Sequence, residues 1–563
     1  MRPLSILFLL WAVLAGQVIW AENVINIDSP SNAVTQMKKN NTRYVISCMI
    51  DLKSKRLTVP SGCTLDFRQG GGIINGYLTG NKTRIEGETE GIFRYTSISG
   101  SFNVARISTD MFQELTYENA LCDVFGLTSN TVQNTVTIEP LPDGKSYNVS
   151  TSDGANIIRV PSNTDVIING KIQMAPCNLE SYSIFQASQA ENVSFTGNGI
   201  IIGDRATHTG TKGEWGMGIN VVGSKNVHIS GLTISDCWGD CIYIGRSSGK
   251  QSQDVTIDKC LLTGSRRQGV SVVACYNSTL SNLDIRDIYG TDPQSAIDVE
   301  PNSGDTCTGV WIHHVKVRNC YHGIISTTPG DAVSKITDIH IDSCDIESEV
   351  LGLSTSNCDL FEVKNTHVLT EYSALRSHIS TVKIDSCFFG PYEGKELESD
   401  IIVLWDVILD VRNSEFHGTK FLDNPKATPA SKRMSVVNNK IFCPVELKMQ
   451  SGQVIGNTVC ASQAPLMQFI LGEGNTIRNN TLIYSGEDQP ANLLDIQTAG
   501  NVVENNQLEY RPTGILSPHV RLTPPDTGVY TLDGRLIQHP TTAASSRLPR
   551  GIYIINHRKV AVK

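Results

Sequence analysis

Helical periodicity is nearly absent from this sequence: apolar residues rarely recur at three- and four-residue intervals, which excludes a helical bundle or a coiled coil as the main architecture. Long hydrophobic runs are also missing beyond the first 21 residues, where nothing approaches the roughly 20 apolar residues of a membrane span. Basic residues are in the minority. With 47 Lys and Arg against 56 Asp and Glu, the formal charge is -9, which argues against nucleic acid or an anionic membrane as partner. Aromatic residues make up only 7%, while glycine is plentiful at 47 of 563 residues, a composition that suits a repetitive β architecture. No Cys/His spacing matches a zinc motif, so no metal ligand is assigned.

The N-terminus carries the single early charge Arg2, an apolar run from Leu4 to Ile19 and a cleavage-like site after Ala21. It reads as a secretory signal over residues 1–21, so the mature chain is expected in the periplasm, at the cell surface or secreted. No cysteine follows the apolar run where a lipid anchor would need one. All 15 cysteines lie in the mature part, and several share one context, as in Asp-Lys-Cys260, Arg-Asn-Cys320, Asp-Ser-Cys344 and Asp-Ser-Cys387. A buried column of free thiols packed as small hydrophobes is preferred over a disulfide framework.

What the chain has in abundance is a repeat. Asn192-Val-Ser-Phe, Asn226-Val-His-Ile, Asp254-Val-Thr-Ile, Gly309-Val-Trp-Ile, Asp338-Ile-His-Ile and Thr381-Val-Lys-Ile each open a coil, followed by a turn and a second apolar strand. β-branched residues dominate these strands, and their spacing falls in the solenoid range. The fold expected is all-β, a single-stranded parallel β-helix. Residues 22–155 form an N-terminal cap and first coils, with a helix around Thr109–Phe125. Residues 156–511 form the β-helix with its groove, and 512–563 a linker around Pro524-Pro525 and a small C-terminal β module.

The most informative stretch runs from Trp215 to Asn302. Cys241-Ile242-Tyr243-Ile244, Gly269-Val270-Ser271-Val272 and Ala296-Ile297-Asp298-Val299 share one pattern at spacings of 28 and 27 residues, so they stack as rungs. Side chains alternate across a strand, which places Tyr243, Ser271 and Asp298 in one outward column with Glu300 two residues on. Asp240, Gln268 and Ser295 precede the strands, and the turns add Asp236, Trp238, Arg266 and Arg267. Glu214 and Trp215 stand one coil earlier, and His322 one coil later. The small column Cys241, Gly269, Ala296 and Gly323 is read as room for a large ligand against the sheet.

Gly239-Asp240-Cys241-Ile242-Tyr243-Ile244 resembles the Gly-Asp-Asp-Cys-Ile-x-Ile strand of polygalacturonases, family 28 glycoside hydrolases on a right-handed β-helix. One coil later Gln268-Gly269-Val270-Ser271-Val272 resembles that family's His-Gly-x-Ser-Ile. The resemblance implies a right-handed β-helix acting on a polysaccharide. The chain departs from it at Gly239, where the first aspartate of the pair is missing, at Gln268 in place of histidine, and at Asp298-Val299-Glu300 in place of Arg-Ile-Lys. Trp215-Gly-Met-Gly-Ile219 stands where Asn-Thr-Asp would be. The wider run Gly203-Asp204-Arg205, His208, Glu214-Trp215-Gly216 and Asp298-Val-Glu300-Pro-Asn302 resembles bacterial and phage β-helix proteins of the pectate-lyase-like superfamily. Gly551-Ile-Tyr-Ile-Ile555 with His557-Arg-Lys559 resembles the C-terminal β modules of exported Bacteroidetes proteins.

A glycosidase needs one protonated and one ionised carboxyl flanking the scissile bond. The expected catalytic set is Asp240, Asp298 and Glu300, with Asp240 as acid and one of the other two as base or nucleophile. Glu214, Trp215, Asp236, Trp238, Tyr243, Arg266, Arg267, Gln268 and His322 would bind the substrate, with Trp215 and Trp238 as stacking platforms. Hydrolysis needs no cofactor. The alternatives are a uronate lyase or epimerase, using Arg266, Arg267, His322 or Tyr243 as base with calcium held by the carboxylates, and a non-catalytic glycan-binding β-helix. All three readings take a polysaccharide or oligosaccharide as partner.

Overall fold

The computed structural model describes residues 23–511, except 155, 330–332, 426–432, 488–489 and 491, and the backbone of short strands between 529 and 562. The expected signal segment and the expected linker around Pro524-Pro525 lie outside these residues. The chain divides into two compact units, split between Arg511 and Pro512.

The long unit is a parallel β-helix. Its main stack begins with Arg106–Ser108 and continues through Gln507–Tyr510, each strand hydrogen-bonded to strands one coil away. Before it, strands between Asn23 and Gln113 pair in parallel as a separate sheet. The region expected to be a helix around Thr109–Phe125 is more broken than that. A 3-10 turn covers Thr109–Met111, a two-residue strand Phe112–Gln113, and an α-helix only Ala120–Phe125. In the short unit, Val529–Tyr530 pairs antiparallel with Leu536–Gln538 and with Gly551–Ile555, which pairs antiparallel with Arg558–Val562.

The repeat has a local cause. The residue that opens each coil, Asn192, Asn226, Asp254, Gly309 or Asp338, has φ between 54° and 67°, a left-handed conformation that Gly, Asn and Asp tolerate best. The next residue then points inward, and Val193, Val227 and Val255 pair across three coils. Asn226 Nδ2 donates to Asn192 Oδ1 at 2.8 Å, tying the turns of successive coils together.

We label the strands of the central face β1 (Trp215–Val222), β2 (Ile242–Ser247), β3 (Gln268–Val272), β4 (Ser295–Val299) and β5 (Lys316–Ser326). Their register places Asn220, Tyr243, Ser271 and Asp298 side by side, and Gln268, Ser295 and His322 side by side three columns away. Ile242, Val270, Ile297 and Ile324 fill the core beneath.

The small column does not face a ligand. A Cβ on Gly218, Gly269, Gly323 or Gly352 would meet Ile234, Ile285, Ile346 or Val368 at 2.2–2.7 Å, and Cys241 and Ala296 are fully buried. These positions line an inside corner of the coil, where branched side chains from the adjacent face fill the space. All fifteen cysteines are free thiols, most of them buried. Cys260, Cys344 and Cys387 precede Leu261, Asp345 and Phe388, which belong to one register column. Burial pushes their thiols up to about 11–12, so they stay protonated and pack as hydrophobes. Cys320 lies on a different column, beside Ile288 and Ser348.

Candidate active site

On β3 and β4 even the outward side chains are buried: Gln268, Ser271, Ser295 and Asp298 are at most 3% exposed, and Asp240, just before β2, is fully enclosed. The carboxyls therefore sit recessed rather than on an open shelf. Two residues of the middle rung tie them together. Ser271 Oγ donates to Asp240 Oδ2 at 2.9 Å, reaching back one coil. Gln268 Nε2 donates to Asp298 Oδ2 at 3.1 Å, reaching forward one coil. The other oxygens, Asp240 Oδ1, Asp298 Oδ1 and Gln268 Oε1, are buried without a protein partner, as are Ser295 Oγ and Asn220 Oδ1. A cluster of unpaired polar atoms on one face is costly.

The two carboxyls differ electrostatically. Burial pushes Asp240 up to about 6, opposed by the Arg267 charge and by the hydrogen bond from Ser271. Asp298 lies well above the carboxylate range, because burial is joined by repulsion from Glu300 and Asp240. Glu300 itself is exposed, one residue past the end of β4. Two carboxyls with unequal proton affinities are what acid/base catalysis uses.

The remaining candidates fall into two groups. Arg267 lowers the proton affinity of both aspartates and reaches Glu214 at 3.5 Å, while its Nε donates to Asp292 O. Tyr243 sits beside Ser271 in register, with its hydroxyl pushed up to about 12 by burial. His322 pairs with Ser295, its buried ring pushed down to about 4, and its Nδ1 has no protein partner. Trp215 is 47% exposed at the start of β1, its ring available.

Trp238 and Arg266 are engaged in a stack with His208, and Asp236 in a turn. The Trp238 ring is sandwiched, with His208 stacked 3.8 Å away on one side and the Arg266 guanidinium 3.6 Å away on the other. With both faces covered it is no stacking platform. Arg266 is committed as well. It donates to Trp238 O at 2.7 Å, to Thr291 Oγ1 at 2.8 Å and to Gly213 O. It braces the loop before Glu214 and is not free to serve as a base. Asp236 is a turn residue with φ 53°, and no hydrogen bond among the described residues joins it to the carboxyl cluster.

Sequence reasoning assigned no role to Ser271, which orients Asp240. It also had no basis for joining Cys177 to Asp204 and His208, because the contact crosses between coils. Their Sγ, carboxylate oxygen and ring nitrogen lie within 4.8 Å of one another, a grouping that could hold a metal ion. Among the described residues, Asp240, Asp298 and Glu300 form no such grouping.

No family model matches the chain. It is 37% identical over 162 residues to the SPbeta prophage-derived uncharacterized protein YorA of Bacillus subtilis. It is 32% identical over 160 residues to the uncharacterized protein YclG of the same organism. Each match covers 25% of this chain and spans 28% and 27% of those two proteins. Among solved structures, the tailspike protein of E. coli bacteriophage HK620 in complex with pentasaccharide overlaps at a TM-score of 0.48 with 13% identity, over 72% of this chain and 80% of that one. The A-module of the Azotobacter vinelandii mannuronan C-5 epimerase AlgE6 overlaps at 0.44 with 12% identity, over 64% and 92%. Among the described residues no helix is long and apolar enough to cross a membrane.

Proposed function

We propose that the chain is an exported carbohydrate-active enzyme that hydrolyses glycosidic bonds in a polysaccharide. The observation that carries this reading is the recessed pair Asp240 and Asp298, bridged by Ser271 and Gln268 and held at unequal proton affinity. Asp298 is the better proton holder and so the general acid; Asp240 is the base. This exchanges the roles expected from the sequence. The two residues are two rungs apart, about 9.6 Å along the stack at ordinary strand spacing. That separation favours inversion, where a water sits between carboxyls roughly 6.5–9.5 Å apart. Trp215 offers the free aromatic face, and Arg267, Gln268, Glu214 and Tyr243 position the sugar. Export rests on residues 1–21 and on the Bacteroidetes-like tail, and the distant likeness to polygalacturonases concerns the β2 and β3 rungs.

The lyase or epimerase reading is less well supplied. Tyr243 holds its proton up to about 12 and Arg266 is committed to backbone carbonyls, which leaves Arg267 and His322 as candidate bases. The test is incubation of the mature protein with a polysaccharide panel, with and without chelator, following reducing ends and near-ultraviolet absorbance together. New reducing ends without absorbance support hydrolysis. Absorbance from an unsaturated uronate overturns it in favour of elimination, and an unchanged polymer with measurable binding overturns it in favour of a glycan binder.

A further inference from the structure

We infer that Cys177, Asp204 and His208 form a binding site for a divalent transition-metal ion, zinc by its donor set, which pins one wall of the groove to the body of the stack. The inference stands whether or not the carboxyls hydrolyse a glycan. Asp204 and His208 lie in the turn after the strand Ile200–Ile202, and Cys177 lies one coil earlier, after Lys171–Met174. Asp204 Oδ2 is 2.8 Å from His208 Nδ1 and 3.2 Å from Cys177 Sγ, and the sulfur is 3.8 Å from that nitrogen. Donors held about 2.0–2.3 Å from a tetrahedral zinc ion stand roughly 3.3–3.6 Å apart. Each edge of the triangle needs to change by only a few tenths of an ångström.

The chemistry of the set selects the ion. One thiolate, one imidazole and one carboxylate suit zinc and its neighbours, whereas calcium and magnesium take oxygen donors throughout. The carboxylate is already oriented without an ion, because Tyr182 donates its hydroxyl to Asp204 Oδ1 and the Cys177 amide donates to Oδ2 at 3.2 Å. Such outer partners fix the ligands of metal sites. The Asp204 and His208 side chains are fully buried, and Cys177 is half-buried, leaving one side for entry and a fourth ligand. Binding displaces the thiol proton to solvent and leaves a metal-bound thiolate. From there the brace is continuous: His208 stacks on Trp238, Trp238 on Arg266, and Arg266 holds Gly213 O beside Glu214.

The experiment uses the full mature chain, stripped with chelator under reducing conditions and titrated with Zn²⁺ against a competing chelator, then with Co²⁺ for the thiolate-to-cobalt charge-transfer band. One tight equivalent is expected, with the band present. Cys177→Ser and His208→Gln each weaken binding by roughly a hundredfold or more, and Tyr182→Phe by roughly tenfold with stoichiometry kept. Cys260→Ser, at a buried thiol outside the cluster, binds like the unaltered chain. Zn²⁺ also protects Cys177 from alkylation in the folded unaltered protein, a readout that needs no variant. Failure to retain an equivalent of metal, a Cys177→Ser chain that binds as tightly as its parent, or Cys177 alkylation indifferent to Zn²⁺ would each overturn the site.

Discussion

Asp240 and Asp298 show how one residue type acquires two different proton affinities from its surroundings. Both are buried, but Arg267 and Ser271 favour the charged form of Asp240, whereas Glu300 and Asp240 oppose that of Asp298. At neutral pH, above about 6, Asp240 is the ionised member. The ratio kcat/KM should therefore rise as pH climbs through about 6 and fall where Asp298 releases its proton, with apparent values that belong to the pair. Asp298→Asn should lower kcat by roughly 10²–10⁴-fold with the fold intact; unchanged turnover would remove Asp298 from the mechanism. Glu300→Gln separates two roles for that exposed residue. If Glu300 acts by repulsion, the alkaline limb of the profile moves to lower pH while kcat at the optimum is kept; if it is the base, kcat collapses. Asp240 also makes a stability prediction. Its carboxyl titrates near 3.8 when exposed and about 6 when folded. Between those values the unfolded chain binds fewer protons than the folded one, so stability falls as pH rises through that window. A difference of 6 − 3.8 units, at 1.36 kcal/mol each, is about 3 kcal/mol. Asp240→Asn should thus be inactive yet more stable than its parent at pH 7, by up to about 3 kcal/mol, with most of the gain gone by pH 4. Chemical denaturation at the two pH values checks it, and a variant destabilised at pH 7 would show that the Ser271 bond outweighs the burial of charge.

At the scale of the strand and its corner, the same small residue supports opposite readings. Gly269 in β3 suggests space for a ligand when the sequence is read as a flat ladder, because periodicity fixes alternation but not where the coil bends. The bend turns that column inward, and a Cβ on Gly269 would meet Ile285 Cγ2 and Ala296 O, each at 2.6 Å. Gly269→Ala should therefore cost about 1–3 kcal/mol through overpacking, read as a lower midpoint of thermal unfolding, with KM little changed. A raised KM at unaltered stability would put the column back in the groove. The loops were the less legible part for the same reason. Asp240 and Gln268 share one repeating position with Ser295, and Asp298 shares another with Tyr243 and Ser271, so spacing picks them out. The partners of Trp238 were not, since His208 and Arg266 come from loops on different coils with no shared period. An exposed aromatic and a braced one look alike in sequence. Their variants should not: Trp215→Ala should raise KM with stability unchanged, whereas Trp238→Ala should lower the unfolding midpoint by removing the ring between two partners.

Across the whole molecule, the architecture was legible because a solenoid repeats its physics: one core runs unbroken from Ile27 to Tyr484, and each coil meets mainly its neighbours. What changes along the stack is the material of the column. Where Cys260, Cys344 and Cys387 stand in the middle, Asn439, Asn457, Asn480 and Asn506 continue the position toward the end. The amides form a ladder in which Asn480 Nδ2 donates to Val454 O at 2.9 Å and Asn506 Oδ1 at 2.9 Å, and its Oδ1 accepts from Asn457 N and Nδ2. Beyond it the strands Val502–Glu504 and Gln507–Tyr510 are largely exposed, so this coil leans on its neighbour alone among the described residues. Stability in such a stack is a sum of nearest-neighbour terms, and local opening starts where those terms are fewest. Asn480→Ala leaves the Asn457 amide donors without their acceptor, a loss of about 1–3 kcal/mol. If coils open by neighbour, hydrogen exchange in residues 476–510 should quicken by about tenfold to a hundredfold, while β3 and β4 exchange as before. Equal acceleration at both places would mean that the stack opens as one cooperative body, and that the site's rigidity depends on its far end.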